Sequence, residues 1–557
     1  MKILKVMLLS LASAGLFGCG GGGNTGNSTS SPAPVTAAPA PASSVTVSGK
    51  LSFDRVPHSE TGGLSYANTV RLPIRGVVVQ AIDAAGQTTA STLSTEDGSY
   101  SLNLTSNTNL SIRVKAELVS TEAASWDVQV TDNTAGNALY VLQGSLANTG
   151  TARNQTRDLH AAHGWTGNSY GEARAAAPFA ILDNVYTAIQ SFVAIDPDID
   201  FPALDIHWSV NNRTIFGDET QGNIGSSAYH QDGDSGAIFI LGQENVDTDE
   251  FDPHIIIHEW GHYFEHQMSR TDTIGGFHSL TDRLDPRVAF SEGLGNALSA
   301  IITADSVYKD SRGRAQERGF LYDVETTEID QPGWFAEASI GAIIYDIYDS
   351  NNDQADDITA GLSPLYNVMR GDAYRDSPVF ATIFGLIDGL RAEGTISIAD
   401  IDTLLEAHSI SGNGADGSGE NNNGAIQSSL PIYKEISLDG EPVQFCSFDD
   451  AGVFNKLGNR DFTFMTLPED ANVTISISKI SGREARNPDF NIWQAGNLIH
   501  SVNNTVEDRE SFQGRLTAGD YTIEAFDYFN VSGTFAQRGD SCYDLSVEQS
   551  QNLRRFP

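Results

Sequence analysis

The segment Asp252-Pro-His-Ile-Ile-Ile-His-Glu-Trp-Gly-His-Tyr-Phe-Glu-His266 constrains this chain more than any other stretch. Asp252 followed by Pro253 is a helix-opening pair, because proline suits the first helical position and aspartate the position before it. A helix from Pro253 carries His258 and His262 one turn apart on one face, where two imidazoles reach one ion at about 2.0 to 2.1 Å. Glu259 stands beside them, placed to take a proton from water at that ion. This is the HExxH pattern, and the chemistry it predicts is zinc-dependent hydrolysis. Only 12 of the 557 residues are histidine, so these offsets arise by chance in roughly one such chain in fifty. His254 and His266 extend the four-residue spacing, but Ile255 and Tyr263 stand where their pairs would need a base. Each four-residue step also turns about 40° around the helix, so four histidines cannot share one ion. His254 and His266 are read as structural.

An open catalytic site needs a third protein ligand. The metzincin pattern would put Gly and His at positions 265 and 268, which hold Glu265 and Met268. A downstream carboxylate remains. Arg287-Val-Ala-Phe-Ser-Glu-Gly-Leu-Gly-Asn-Ala-Leu-Ser-Ala is a second helical pattern, with Asp285 and Pro286 suited to its start and Glu292 its conspicuous acid. Gly293 and Gly295 leave its surface bare enough for close approach to the first helix. Asp282 and Asp285 are the competing carboxylates. On His258, Glu259, His262 and Glu292 the sequence resembles the gluzincins, the thermolysin-like clan whose third zinc ligand is a glutamate on a following helix. Asn296 falls where thermolysin-like enzymes place an aspartate that bonds a ligand histidine, and it can accept the same bond without charge.

The resemblance also implies a donor to the developing oxyanion, supplied by Tyr or His from further along. Tyr345, in the apolar helical stretch from Ile340 to Tyr348, is the first candidate, with His408 and His278 as alternatives. Gly236-Ala-Ile-Phe-Ile-Leu-Gly is a short apolar strand, read either as core or as the edge that pairs with an extended substrate in this clan. The acidic loop Asp247-Thr-Asp-Glu-Phe-Asp offers the oxygen ligands that calcium takes.

The N-terminus carries Lys2 and Lys5 ahead of an apolar run from Val6 to Phe17, an export signal too short to span a bilayer comfortably. Leu16-Phe17-Gly18-Cys19 resembles the lipobox at which bacterial lipoproteins are cleaved and acylated on cysteine, so Cys19 is the expected lipid anchor. Gly20, where an inner-membrane retention signal would carry Asp, directs the expectation to the outer membrane of a Gram-negative cell. The only other cysteines, Cys446 and Cys542, are expected to form one disulfide in an exported chain. Lys and Arg total 33 against 72 Asp and Glu, a formal charge of −39. That balance excludes nucleic acid and anionic lipid surfaces as partners.

Length and patterning predict several domains. Residues 1–18 are the signal and 19–44 a Gly/Ser/Asn/Pro/Ala tether with almost no large apolar side chain. From 45 to 150, short alternating runs such as Val45–Leu51, Gly76–Ile82 and Ser99–Leu104 predict a β-sandwich. Arg75-Gly-Val-Val-Val-Gln-Ala and Thr95-Glu-Asp-Gly-Ser-Tyr there resemble the carboxypeptidase regulatory-like, or transthyretin-like, domain. From 151 to 430, helical patterns predict an α+β, mainly helical, zincin-like peptidase domain. From 431 to 557 strands return, and Leu516-Thr-Ala-Gly-Asp-Tyr-Thr-Ile resembles bacterial pre-peptidase C-terminal domains. The expectation is an exported zinc metallopeptidase acting on protein or peptide. The rivals are a non-catalytic adhesion or scaffolding lipoprotein and a zinc hydrolase of another bond.

Overall fold

Period-two alternation places Val45, Val47, Leu51 and Phe53 on buried positions of one strand, and that strand, β1 (Ser44–Arg55), opens the folded chain. The structure, a computed structural model, describes residues 43–549 apart from 327, 351–357, 485 and 533–535. The export signal, Cys19 and all but the last two residues of the tether lie outside the described residues. After β1 come β2 (Val77–Asp83), β3 (Thr88–Leu93), β4 (Ser99–Thr105), β5 (Asn109–Thr121) and β6 (Ser125–Asp132). β1 pairs antiparallel with β4 and parallel with Asn154–Thr156 and Leu159–Ala161, while β3, β2, β5 and β6 lie side by side in a second sheet.

That second sheet runs straight across the boundary expected near residue 150. β7 (Leu204–Trp208) pairs parallel with β6. The edge is completed by β8 (Ala228–Asp232) and β9 (Ser235–Ile240), with β9 parallel to β7 and β8 antiparallel to β9. Parallel pairing requires a long crossover, and α1 (Ala177–Val193) supplies it, packing on β5 and β6. One hydrophobic core therefore extends from Val45 into the helical region. The change of sequence character near 150 marks a change of element type within shared packing.

The helical region centres on α2 (Pro253–Met268), α3 (Pro286–Thr303) and α4 (Glu337–Tyr348), with α3 packed between the other two. Glycine allows the approach. A Cβ on Gly261 would stand 3.2 Å from Gly295 Cα, and one on Gly293 only 2.5 Å from Ile340 Cβ. Flanking these helices, β10 (Asp247–Thr248), β11 (Val307–Arg312) and β12 (Arg318–Asp323) join Gly242–Gln243 in a small antiparallel sheet.

The C-terminal region is a β-sandwich with its own core, from Ile436 to Val547. One sheet sets β13 (Arg460–Leu467) beside β14 (Gly519–Asp527), and the other holds the strands of Cys446 and Cys542, which face each other in register and are joined as a disulfide. The order sandwich, helical region, sandwich is the expected one, although Ser44 onward belongs to one compact unit. Arg287 in the first turn of α3 is fully buried at the seam, bonded to Asp285 at 2.8 Å and to Glu524 of β14 at 2.7 Å, with its guanidinium 4.5 Å from the Phe380 ring centroid. Among the described residues no helix is long and apolar enough to cross a membrane.

Candidate metal centre

α2 begins at Pro253 as expected, but the Asp252 side chain caps no helix N–H. Its carboxylate instead accepts from the Ser311 backbone at 2.6 Å and the Ser311 hydroxyl at 2.9 Å, and meets His58 Nε2 at 3.0 Å. Asp285 does cap α3, accepting from Arg287 N at 3.1 Å. The two helix starts thus fix where His258, His262 and Glu292 stand. His258 Nε2 lies 3.2 Å from Glu292 Oε2 and 3.1 Å from His262 Nε2, and His262 Nε2 lies 3.4 Å from Glu292 Oε2. A tetrahedral ion at about 2.0 to 2.1 Å from each donor separates them by about 3.3 Å, so this triangle has the size zinc requires.

Ring orientation agrees. His258 Nδ1 faces Asn296 Oδ1 at 3.1 Å, the bond expected of Asn296. An amide oxygen only accepts, so His258 carries its proton on Nδ1 and turns the Nε2 lone pair inward. His262 Nδ1 faces Ser291 Oγ at 3.1 Å, and that hydroxyl donates to Glu265 Oε2 at 2.5 Å. His262 Nδ1 therefore donates to the serine oxygen and its Nε2 also points inward. Two lone pairs and a carboxylate oxygen converge in a buried place where only a cation satisfies all three. In the bare protein a proton takes that part. Burial alone would lower the His262 pKa, but the charge and hydrogen bond of Glu292, with Glu259 and Glu265 behind, lift it to about 9. Burial alone would raise Glu292, but the charges of His262 and His278 and the hydrogen bond from His262 hold it well below the usual carboxylate range.

Glu259 is largely buried and accepts at 2.8 Å from the backbone N–H of Tyr229 on β8. β8 is thus the free edge nearest the centre, and β9, which the sequence left open as core or edge, is enclosed between β8 and β7. Tyr345 stands outside these contacts. It lies eight residues after Glu337 on α4, about 12 Å along the axis, packed against the cluster of Ala300, Tyr308 and Val324, with Glu325, Asp349 and Asp323 as its charged neighbours. No described contact joins it to His258, His262 or Glu292. His278 stands beside the centre: its Nε2 is 3.2 Å from Glu292 Oε2 and its Nδ1 2.6 Å from Glu337 Oε2. The loop carrying His278 is pinned from the C-terminal region, where Asn455 Nδ2 donates to Gly275 O at 2.8 Å and Lys456 Nζ to Phe277 O at 2.7 Å.

The competing carboxylates are engaged elsewhere, Asp285 by Arg287 and Asp282 by Lys456 at 3.5 Å. His254 bonds Asp305 O at 3.0 Å and burial lowers its pKa to about 4, while His266 Nδ1 meets the Tyr229 hydroxyl at 2.8 Å. His408 is buried near the end of the helix Ile398–Ala407, away from these contacts. Sequence reasoning missed Ser291, Glu265 and Glu337. The first two carried a usable signal, since Ser291 precedes Glu292 and Glu265 follows His262 by three. A cavity of about 1080 Å³ lined by Arg283, Phe335, Arg391, Leu405, Asn422 and neighbours includes none of the metal-centre residues.

No family model and no curated protein matches the chain. Among solved structures, it is similar to the pre-peptidase C-terminal domain of a collagenase from Bacillus anthracis, at 15% identity over 21% of this chain and 94% of that one, with TM-score 0.16. It is also similar to PliG, a periplasmic inhibitor of g-type lysozyme from Aeromonas hydrophila, at 19% identity over 21% of this chain and 97% of that one, TM-score 0.14. A third likeness is to CBM35 from Cellvibrio japonicus Abf62, at 17% identity over 20% and 83%, TM-score 0.13. These are weak likenesses of about a fifth of the chain, and they assign no activity to it.

Proposed function

We propose that this protein is a zinc-dependent peptide hydrolase of gluzincin type, exported and held in a Gram-negative envelope by a lipid on Cys19. The observation that carries the reading is the convergence of two inward imidazole lone pairs and the Glu292 carboxylate at zinc-sized spacing, with each outer imidazole nitrogen held by Asn296 or Ser291. A zinc ion held by His258, His262 and Glu292 would supply Lewis-acid polarisation of the substrate carbonyl and make a water more acidic. Glu259 takes the proton of the attacking water and delivers it to the leaving amine nitrogen as the C–N bond breaks and the C–O bond forms. Its carboxylate is aimed by the Tyr229 N–H, which places the base beside the free edge of β8, where an extended peptide can pair. His278, oriented by Glu337, donates to the carbonyl oxygen as charge develops there, the role first expected of Tyr345.

Envelope attachment is supported by the signal and Cys19 in the sequence, and the disulfide is compatible with export. Labelled palmitate should enter the wild-type protein and not Cys19→Ser. The activity is tested by incubating the protein with a diverse peptide library, with and without a zinc chelator, and mapping the cleavages. Chelator-sensitive cleavage is expected, and its absence in zinc-loaded protein would favour a non-catalytic lipoprotein or a hydrolase of another bond.

A further inference from the structure

The loop that leads into α2 carries four acids, and only two of them are satisfied. Glu250 accepts from Arg174 at 3.0 Å, and Asp252 is held by Ser311 and His58. Asp247 and Asp249 lie two residues apart, so their side chains share a face of the extended chain. Asp247 stands opposite Arg312 in the β10–β11 register, and Asp310, two residues before Arg312, projects from the same face. Carboxylate oxygens of Asp247, Asp249 and Asp310 lie within 4.8 Å of one another.

In each of the three the Oδ1 atom is buried without a hydrogen-bond partner. Asp249 is 3% exposed, and its other oxygen takes the Ser227 hydroxyl. Arg312 is the cation whose charge reaches Asp247 and Asp310, yet it leaves the orphaned oxygens undonated. Burial raises all three carboxyls, Asp310 to about 8, and the charge of Asp252 adds to the rise in each, while a side-chain hydrogen bond with Asp249 partly offsets it at Asp247. Buried carboxylate oxygens that converge without donors are satisfied by a bound cation or not at all as anions. Every donor here is oxygen, the ligand chemistry of a hard cation and unlike the imidazoles of the zinc centre.

We propose that Asp247, Asp249 and Asp310 bind a calcium ion that ties the chain entering α2 to β11, at a site separate from the histidine centre and independent of the hydrolase reading. The remaining coordination positions are left to water and backbone carbonyls, as calcium takes about 6 to 8 oxygens. The test is equilibrium dialysis of the full-length protein against radioactive calcium after divalent ions are stripped, with thermal unfolding measured alongside. Wild type should bind one more calcium than Asp249→Asn or Asp310→Asn. Calcium should raise the wild-type unfolding midpoint by several degrees and leave each variant's unchanged. In calcium-free buffer both variants should unfold at or above the wild-type midpoint, because each removes a buried charge from a crowded cluster, and this shows them folded. Equal calcium binding by all three proteins, or none by any, overturns the proposal. So does a wild-type midpoint indifferent to calcium.

Discussion

In the proposed hydrolase two glutamates near one ion have different duties, and substitution separates them. Glu259→Gln keeps His258, His262 and Glu292, so zinc should stay near one equivalent while peptide hydrolysis falls by about two to four orders of magnitude with loss of the base. Glu292→Ala removes a donor from the triangle, and zinc should be lost on dialysis together with activity. Metal analysis and a peptide assay on the same preparations decide it, and full zinc in Glu292→Ala would overturn the ligand assignment. The charges at the bare centre also fix a pH dependence. His262 and His278 are both lifted to about 9 from an ordinary 6.5, burial opposing and Glu292 with its neighbouring acids prevailing. Raised histidine pKa values stabilise the folded state fully below pH 6.5, and the contribution is lost as pH rises through about 9. Zinc-free protein should therefore lose stability between those limits, whereas zinc, which replaces the proton on His262, should flatten the decline. Urea unfolding midpoints across that range, with and without zinc, are the check.

At the scale of elements, the approach of α3 to α2 and to α4 rests on glycines whose replacement has separable effects. A Cβ on Gly295 would sit 2.9 Å from His258 Cε1 and Nδ1, so Gly295→Ala should push the ring and weaken zinc binding by about 10- to 100-fold, the range for disturbed outer-shell partners. A Cβ on Gly293 instead meets Ile340 and the Glu337 carbonyl, so Gly293→Ala should lower the unfolding temperature and leave the metal ligands in place. Zinc affinity and thermal unfolding of the two variants would separate these roles. The same elements show what could be read beforehand. His258 and His262 follow from spacing along one helix, because neighbours at three and four residues share a face, whereas Glu292 is one of several downstream carboxylates and Asn296 comes from the resemblance to gluzincins. His278 with Glu337, Tyr229 with Glu259 and the place of Tyr345 depend on which loops and strands meet, and local periodicity carries no record of that. The β6–β7 pairing across α1 was hidden for the same reason: a parallel ladder joins segments that look unrelated in sequence.

For the whole molecule, the candidate metal centre draws on all three regions of the described chain. Lys456 and Asn455 hold the His278 loop from the C-terminal side, Glu524 clasps Arg287 at the start of α3, and Tyr229 of the N-terminal sheet's far edge aims Glu259. The shared core and the unbroken sheet then have a consequence for how the protein opens. Amides of β5 and β6 can exchange with solvent only through an opening that also loosens β7 and the helices packed behind it, so they belong to the same cooperative unit as α2. A ligand that stabilises the folded state suppresses every opening of that unit. Zinc added to the bare protein should therefore slow deuterium uptake in β5 and β6, strands that supply no ligand to it. An autonomous N-terminal sandwich would exchange at the same rate with and without the metal. Continuity of the sheet makes those distant strands reporters of whether the centre is filled.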